Sequence, residues 1–197
     1  MEPLHNNEIR VLGALLEKDI ATPEYYPLTV NALMNACNQK SSREPLVSYD
    51  DATVEQALEL LRTKGLALRV SGSGHRVEKW GHRLGEWNMG RRELAVLCVL
   101  MLRGPQTVGE LRARTDRMHS FEDLDEVEHV LKVLADRTPA LVAPAGRGRW
   151  SHLWGDGVEV VVEEEAPAGR SSLHDRVEAL EREMEELKMV IAALQHR

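Results

Sequence analysis

The stretch that decides the fold is Asp50–Trp80, with the sequence DDATVEQALELLRTKGLALRVSGSGHRVEKW. In its first part, apolar residues recur with the spacing of one helix face, and Asp50 or Asp51 is placed to cap the helix start. Gly65 then provides a C-terminal stop. Alternating apolar residues around the turn at 71–74 predict a hairpin, with strands at Leu66–Val70 and near Val77. A helix that leads straight into a small hairpin is the second half of a winged helix.

The same pattern occurs a second time, 73 positions later and without a gap. This period is too long for a solenoid repeat, so we interpret it as the duplication of a whole domain. The hairpin glycines Gly72 and Gly74 then lie opposite Gly146 and Gly148. The other matched pairs are Val54 and Val127, Leu58 and Leu131, Leu61 and Leu134, Leu68 and Leu141, and Arg76 and Arg149.

Prolines, glycines and changes of periodicity divide the chain into two tandem winged helix-turn-helix domains and a C-terminal helix. Such a chain has a mainly α fold with small β-hairpins, of the α+β class. The predicted helices are Glu8–Lys18 capped by Asn6 or Asn7, one opening at Thr29, the Asp50 helix, Arg91–Leu102, one capped by Thr107 with Glu110, and Leu124–Arg137. The second hairpin is predicted at Ala140–Ala143 and Arg149–Trp154. The predicted boundaries are 1–80 for the first domain, 81–90 for a linker, 91–155 for the second domain, 156–170 for another linker and 171–197 for a coiled-coil helix.

Composition is that of a globular protein with room for two small cores, at 197 residues and 43% hydrophobic content. No apolar run approaches the ~20 residues of a membrane span, and the polar N-terminus lacks the apolar centre of a signal peptide. Cys37 and Cys98 stand singly in apolar helical patterns, which favours a reducing cytoplasm. The net charge of −7 divides into −2 for 1–90, 0 for 91–157 and −5 for 158–197. The near-neutral domains neither require nor exclude a nucleic-acid partner.

Two segments of the chain carry specific runs of residues. One combines EK at Glu17–Lys18, IATPEYYPLTVNAL at Ile20–Leu33 and ACNQKS at Ala36–Ser41; the other combines RELAVLCVL at Arg92–Leu100 and LRGPQT at Leu102–Thr107. Together these runs resemble the YceH family of bacterial proteins. The resemblance covers about residues 5–155, and the ACNQKS run is its most specific part. It implies two winged helices and a bacterial cytosolic location, and it supplies no catalytic residues.

The C-terminal segment has the heptad spacing of a coiled coil, with Leu at every d position. This pattern favours a parallel two-stranded coil, in which Arg176 faces Glu181 of the partner chain and Glu183 faces Lys188. We therefore expect a parallel homodimer. The alternative is one amphipathic helix packed on its own domains, because just over three heptads is short. The predicted dimerisation residues are Leu173, Val177, Leu180, Met184, Leu187, Ile191 and Leu194.

Motifs of the common enzyme classes are absent from the sequence, including the P-loop, the dinucleotide-binding glycine pattern, G-x-S-x-G and HExxH. The eight histidines are dispersed without the spacing of metal ligands. The clustered carboxylates bracket a helix start, where they stabilise the helix dipole; they are Asp123, Asp125, Glu126 and Glu128. Cys37 and Cys98 are more typical of buried small hydrophobic residues than of nucleophiles. We predict a protein that is not an enzyme and that uses no cofactor or metal.

Double-stranded DNA is the first predicted partner, because a winged helix normally inserts its third helix into the major groove. Here both third helices have acidic starts, at Asp50 and Asp51 and at Asp123 and Asp125, which is unfavourable beside a polyanion. The hairpins and the helix after Thr107 are basic instead. The predicted nucleic-acid contacts are Arg69, Arg76, Lys79, Arg112, Arg114, Arg147 and Arg149, with Arg117 on the same basic face as Arg112 and Arg114.

A protein-docking scaffold without direct DNA contact is the alternative function, since a fold alone does not determine a function. In this interpretation the partner-facing loop residues are Tyr25, Tyr26, Asn38, Gln39 and Lys40. The same residues are equally expected to end a helix and to form hydrogen bonds within their loop. Both interpretations predict a regulator-like or scaffold-like dimer rather than a catalyst.

Overall fold

The computed structural model describes residues 2–70, 77–155 and Met184. Within these residues the fold is mixed α/β, with six α-helices and two small antiparallel sheets. None of the described helices is long and apolar enough to cross a membrane. The hairpin turn with Arg76, the predicted linker 156–170 and the predicted coil lie outside the described residues, except that Met184 is helical and exposed.

The two halves of the chain contain the same order of elements, namely three helices followed by a hairpin. The first half consists of α1 (Asn6–Ala21), α2 (Val30–Cys37), α3 (Asp51–Thr63), β1 (Ala67–Val70) and β2 (Lys79–His82). The second half consists of α4 (Arg91–Arg103), β3 (Gln106–Thr107), α5 (Val108–Thr115), α6 (Leu124–Ala135), β4 (Val142–Pro144) and β5 (Arg149–His152). Short 3₁₀ turns occupy Pro23–Tyr25 and Leu84–Trp87.

Equivalent helices begin with the same cap. The Asp50 carboxylate accepts the backbone N–H of Thr53 at α3, and the Asp123 carboxylate accepts that of Glu126 at α6. The caps predicted at Asp50 and Thr107 are therefore confirmed. The cap predicted at Asn6 or Asn7 is wrong, because the extended residue that precedes α1 is His5.

The register of the hairpins corrects the gapless shift. The backbone N–H of Leu66 bonds to the carbonyl of Leu61, and Leu141 makes the same bond to Leu134, so Leu66 rather than Leu68 corresponds to Leu141. Two additional residues in the second half, between the end of α6 and β4, cause this offset.

The second strands show an offset in the opposite direction. Leu28 pairs with Trp80 just before α2, and Gln106 pairs with Trp150 just before α5. Trp80 thus corresponds to Trp150, and the residue equivalent to Arg149 is Lys79, not Arg76. The reason is a shorter second hairpin.

The two halves form one compact unit up to Gly155 and share one hydrophobic core. Helices α1 and α4 make the main contact between them. Gly13 of α1 approaches Leu102 closely, while Arg91 donates to the carbonyl of Ile20, so the two helices run antiparallel. The predicted linker 81–90 is ordered, since β2 continues to His82 and the Trp87 ring packs against the Trp154 ring at a tilt of 30°, with ring centroids 5.1 Å apart.

Candidate functional site

A cleft of about 680 Å³ lies between the two halves of this unit. Its walls are the last turns of α1, the loop 39–42 after α2, the second half of α4, and the end of α5 with the turn that follows. Five cationic side chains line it, and Glu17 is the one carboxylate among its lining residues. The cationic residues are Lys18, Lys40, Arg103, Arg114 and Arg117.

The loop wall of the cleft is held in place by a buried arginine. The Arg43 guanidinium forms a fork with the Glu17 carboxylate, with N–O distances of 3.0 and 2.6 Å. It also donates to the carbonyl of Ala36 at the end of α2, to the Gln39 side chain and to the carbonyl of Ser42. Since Arg43 has no exposed side-chain surface, this network fixes residues 39–42 against α1.

The Glu17 carboxylate is therefore already neutralised from within. Burial raises its pKa, but the hydrogen bonds and charge of Arg43, with the charge of Lys18, outweigh burial and hold the pKa below the ordinary value. The Lys18 ammonium lies 3.6 Å from the same carboxylate. The cleft consequently presents an excess of positive charge.

Arg103 is partly buried among other cations. Burial, then the charges of Arg114 and Arg43, lower its pKa from the ordinary value, and the charges of Glu17 and Glu44 offset only part of this effect. An arginine remains charged at any physiological pH, so the lowered pKa reports an unfavourable environment rather than deprotonation. No carboxylate of the described residues lies within 4.0 Å of the Arg103 guanidinium.

The predicted hairpin cation Arg69 is engaged within its own half. Its guanidinium pairs with Glu59 of α3 and with Glu78, and it lies over the Trp80 ring, 5.0 Å from the centroid. These contacts are local, exposed ion pairs, which stabilise little and can rearrange. They nevertheless compensate the charge that was predicted to contact DNA.

The predicted cations of the second half are partly engaged as well. Arg149 donates to Glu110 at 2.8 Å and to the carbonyl of Pro105, and Arg114 lies 3.4 Å from the same Glu110. Arg112 donates to the carbonyls of Phe121 and Glu122, so it braces the α5–α6 turn. Glu110 thus offsets two of the predicted contacts.

Lys79 and Arg147 are the predicted hairpin cations without a carboxylate partner among residues 2–70 and 77–155. Arg147 is exposed at the turn of the second hairpin, with a φ of 52°. Arg76 lies outside the described residues. The acidic character of the third helices is retained in the fold, because Asp51 and Glu55 of α3 and Asp125 of α6 are exposed.

The predicted docking residues have different environments. The Asn38 side chain makes two hydrogen bonds to the Tyr49 backbone, each 2.8 Å long, and the Tyr26 hydroxyl accepts the N–H of His82. Asn38 and Tyr26 thus form hydrogen bonds within the fold, as the alternative to a partner-facing role predicts. Tyr25 is 71% exposed, and Lys40 is exposed at the edge of the cleft.

The thiols and the histidines at the strand ends serve the fold. Burial raises the pKa of the Cys37 thiol to about 12 and that of Cys98 well above its ordinary value, so both stay protonated at neutral pH. His82 and His152 end equivalent strands, and each accepts a backbone N–H on Nδ1 from the residue two positions later. Within residues 2–70 and 77–155, no three His, Cys, Asp or Glu side chains gather as a metal site.

Sequence reasoning identified part of the cleft but not the whole. It assigned Gln39 and Lys40 to a docking loop and Arg114 to a DNA-contacting face, and the fold brings them to one cavity. Lys18 and Arg103 were missed, because each lies in the last turn of a separate helix and no local pattern links them. The signal that could have found them is the basic residue in the last turn of α1 and of α4, the two helices whose packing joins the halves.

Comparison with known proteins gives a consistent family. The family described as "Protein of unknown function, DUF480" matches residues 4–148. A UPF0502 protein of Solibacter usitatus is 54% identical over 188 residues, which cover 92% of this chain and 91% of that protein. A UPF0502 protein of Pelobacter propionicus is 46% identical over 203 residues, covering 97% and 93% of the two chains. These relatives do not bear the YceH name, but the resemblance is consistent with the same family. The chain belongs to the DUF480 family of bacterial proteins, which includes these UPF0502 proteins.

Proposed function

We propose that this protein is a non-enzymatic, DNA-associated regulator that works as a dimer, in which two tandem winged helices contact DNA through their hairpins. The observation that carries the proposal is that both halves have the same arrangement of helices and strands. Each half has three helices, an aspartate cap on the third, and a hairpin whose second strand pairs with the residue before the second helix. This order and pairing are typical of a winged helix-turn-helix, a DNA-binding motif, and in this way they support the proposal.

The distribution of charge favours the hairpins over the third helices as the contact. The exposed acidic starts of α3 and α6 would repel phosphates, whereas Lys79 and Arg149 occupy equivalent positions on the second strands. Lys79 and Arg147 have no described carboxylate to compete with a phosphate, and the Arg149–Glu110 pair is exposed enough to exchange. Contacts of this kind give affinity with little sequence specificity.

The test is a fluorescence-anisotropy titration of full-length protein with labelled duplex DNA at two salt concentrations. In the variant Lys79→Glu/Arg147→Glu we expect much weaker binding and a salt slope reduced by about one per lost phosphate contact. The matched control Arg83→Glu/Lys132→Glu changes the net charge equally and should bind like wild type, since Lys132 is exposed, the Arg83 side chain is 42% exposed, and neither residue lies in a hairpin strand. Wild-type protein that binds no DNA at low salt, or a control that loses affinity as much as the hairpin variant, would refute this proposal.

A protein-docking scaffold is the second candidate, favoured by the internal neutralisation of Arg69 and Arg149 and by the exposed Tyr25 ring. The docking surface would include Tyr25 and the loop that ends with Lys40. A partner captured by the protein should then be lost in Tyr25→Ala and retained in Lys79→Glu/Arg147→Glu. The opposite pattern would exclude docking through this segment.

A further inference from the structure

The cleft between the halves has the size and composition of a small-ligand site. Its volume of about 680 Å³ lies within the roughly 300–1,000 Å³ of most ligand pockets. Its floor is apolar, formed by Val99 and Leu102 of α4 together with Met118. Its rim is cationic, with lysines and arginines from both halves. An apolar floor with a few convergent charged groups can orient a ligand that has one apolar part and one charged part.

Most of the positive charge of the cleft lacks an internal counterpart. Arg43 already neutralises Glu17 from below, and Lys18 lies 3.6 Å from the same carboxylate, so no lining carboxylate remains for Lys40, Arg103, Arg114 and Arg117. Arg114 has a single, long contact of 3.4 Å to Glu110, and Arg103 has no described carboxylate within 4.0 Å. Partly buried like charges without a counter-ion raise the free energy of the folded state, and an anion bound among them would lower it.

We propose that this cleft binds a small phosphorylated ligand, whose phosphate oxygens are held by Arg103, Arg114 and Arg117 and whose apolar or aromatic part lies on Val99 and Leu102. Arginine suits this role because its planar guanidinium binds two oxygens of a phosphate at once. Lys40 and the hydroxyls of Ser41 and Ser42 stand on the opposite wall, which Arg43 fixes. The ligand would therefore contact both halves and tie their relative position to its binding.

This inference is independent of the DNA proposal, because it concerns a different surface and the binding measurement itself contains no DNA, which enters only as a competitor. The measurement is isothermal titration calorimetry of the full-length protein with pyrophosphate and with ADP, against sodium sulfate at equal ionic strength. Pyrophosphate tests the anion alone, and ADP adds an aromatic part. We expect one saturable site per chain, with ADP binding more tightly than pyrophosphate and sulfate giving no saturable heat.

Two single variants and a control locate the site. Arg103→Met and Arg117→Met should each weaken ADP binding by about 10- to 100-fold, which corresponds to the loss of a charge-assisted hydrogen bond. The control Arg83→Met removes an exposed guanidinium outside the cleft and should leave the affinity unchanged. Folding is checked by thermal unfolding: Arg103→Met should keep or raise Tm, because it removes a cation from a repulsive cluster. Arg117 is exposed, so its replacement should not affect folding.

Three results would overturn the proposal. The first is the absence of saturable heat from pyrophosphate and from ADP up to about 10 mM, which is ten times the concentration that half-saturates a weak site with a Kd of about 1 mM. The second is ADP binding that both cleft variants retain. The third is displacement of ADP by duplex DNA at an equal phosphate concentration, which would assign these cations to DNA.

Discussion

Removing the charge of Glu17 is the sharpest test of how the loop 39–42 is held. In the variant Glu17→Gln the Arg43 guanidinium loses the one carboxylate that it contacts among the described residues, but it keeps its carbonyl partners. Arg43 has 0% and Glu17 16% of its side chain exposed, so the surviving charge stays in a dry environment. Breaking a buried ion pair by removing one partner costs about 3–5 kcal/mol. Because glutamine can still accept one hydrogen bond, we expect a loss of about 3 kcal/mol in the free energy of unfolding.

The assay is urea unfolding followed by circular dichroism, with thermal unfolding as a second measurement. For a unit of this size, a loss of 3 kcal/mol lowers Tm by about 6–12 °C. Arg43→Met and the double variant complete a double-mutant cycle, in which the double variant should lose less than the sum of the single losses. Glu86→Gln breaks the exposed pair with Arg83 and should change stability by less than about 0.5 kcal/mol.

The pH dependence of the same pair has a defined sign. In the folded chain the pKa of Glu17 lies below its ordinary value of 4.5. The ionised carboxylate therefore contributes fully to the free energy of unfolding above pH 4.5, and this contribution is lost as pH falls through the pKa of the folded state. The gap in stability between wild type and Glu17→Gln should therefore narrow in acid. A loss below about 0.5 kcal/mol in Glu17→Gln at neutral pH, or purely additive losses in the cycle, would refute the view that this pair fixes the loop.

Two further predictions concern the core. Gly13→Ala should lower the free energy of unfolding by about 1–3 kcal/mol, because the new Cβ would lie 3.0 Å from Leu102 Cδ2 between α1 and α4. Gly109→Ala, where a Cβ meets no atom within 4 Å, should cause no loss of stability. Urea unfolding of both variants checks this prediction. Burial lowers the pKa of His152 to about 4, so the unfolded chain binds the extra proton first and stability falls as pH decreases from about 6.5 to 4. The variant His152→Asn should show a flatter stability profile in that window, and an unchanged profile would exclude His152 as the cause.

The elements with strong local signals were predictable from the sequence. Asp50 and Thr107 are caps with a single physical role, and Gly65 has the positive φ of 71° that a glycine stop requires. The amphipathic periods of α3 and α6 fixed their inward faces, which are buried as expected. These features depend on residues a few positions apart, so one sequence is enough to find them.

The register of the hairpins was less predictable, because it depends on insertions that leave no local trace. An alignment of the two halves with a constant shift of 73 residues matches α3 with α6, but it assigns the wrong equivalents to Leu68 and Arg76. The second half is longer than the first before its first strand and shorter within its hairpin, and a constant shift ignores both differences. The glycines of the two turns coincide in this alignment and favoured it, but glycines are common in hairpin turns and do not identify equivalent positions. Pairing of each second strand with the residue before the second helix identifies the true equivalence, and that contact spans more than 40 residues in each half.

The net charge of the candidate sites could not be predicted from the sequence, because it depends on which cations form ion pairs within the folded chain. Arg69, Arg149 and Lys79 look alike in sequence, but only Lys79 lacks a carboxylate within the described residues. The cleft shows the converse. It draws single cations from α1, the loop after α2 and α4, which are not unusually basic, and combines them with Arg114 and Arg117 from the basic face of α5 and the turn after it. An excess of positive charge arises there because Arg43, a cation from outside the lining, neutralises Glu17. The same ion pair that fixes one wall of the cleft therefore leaves its remaining charge available to an anion.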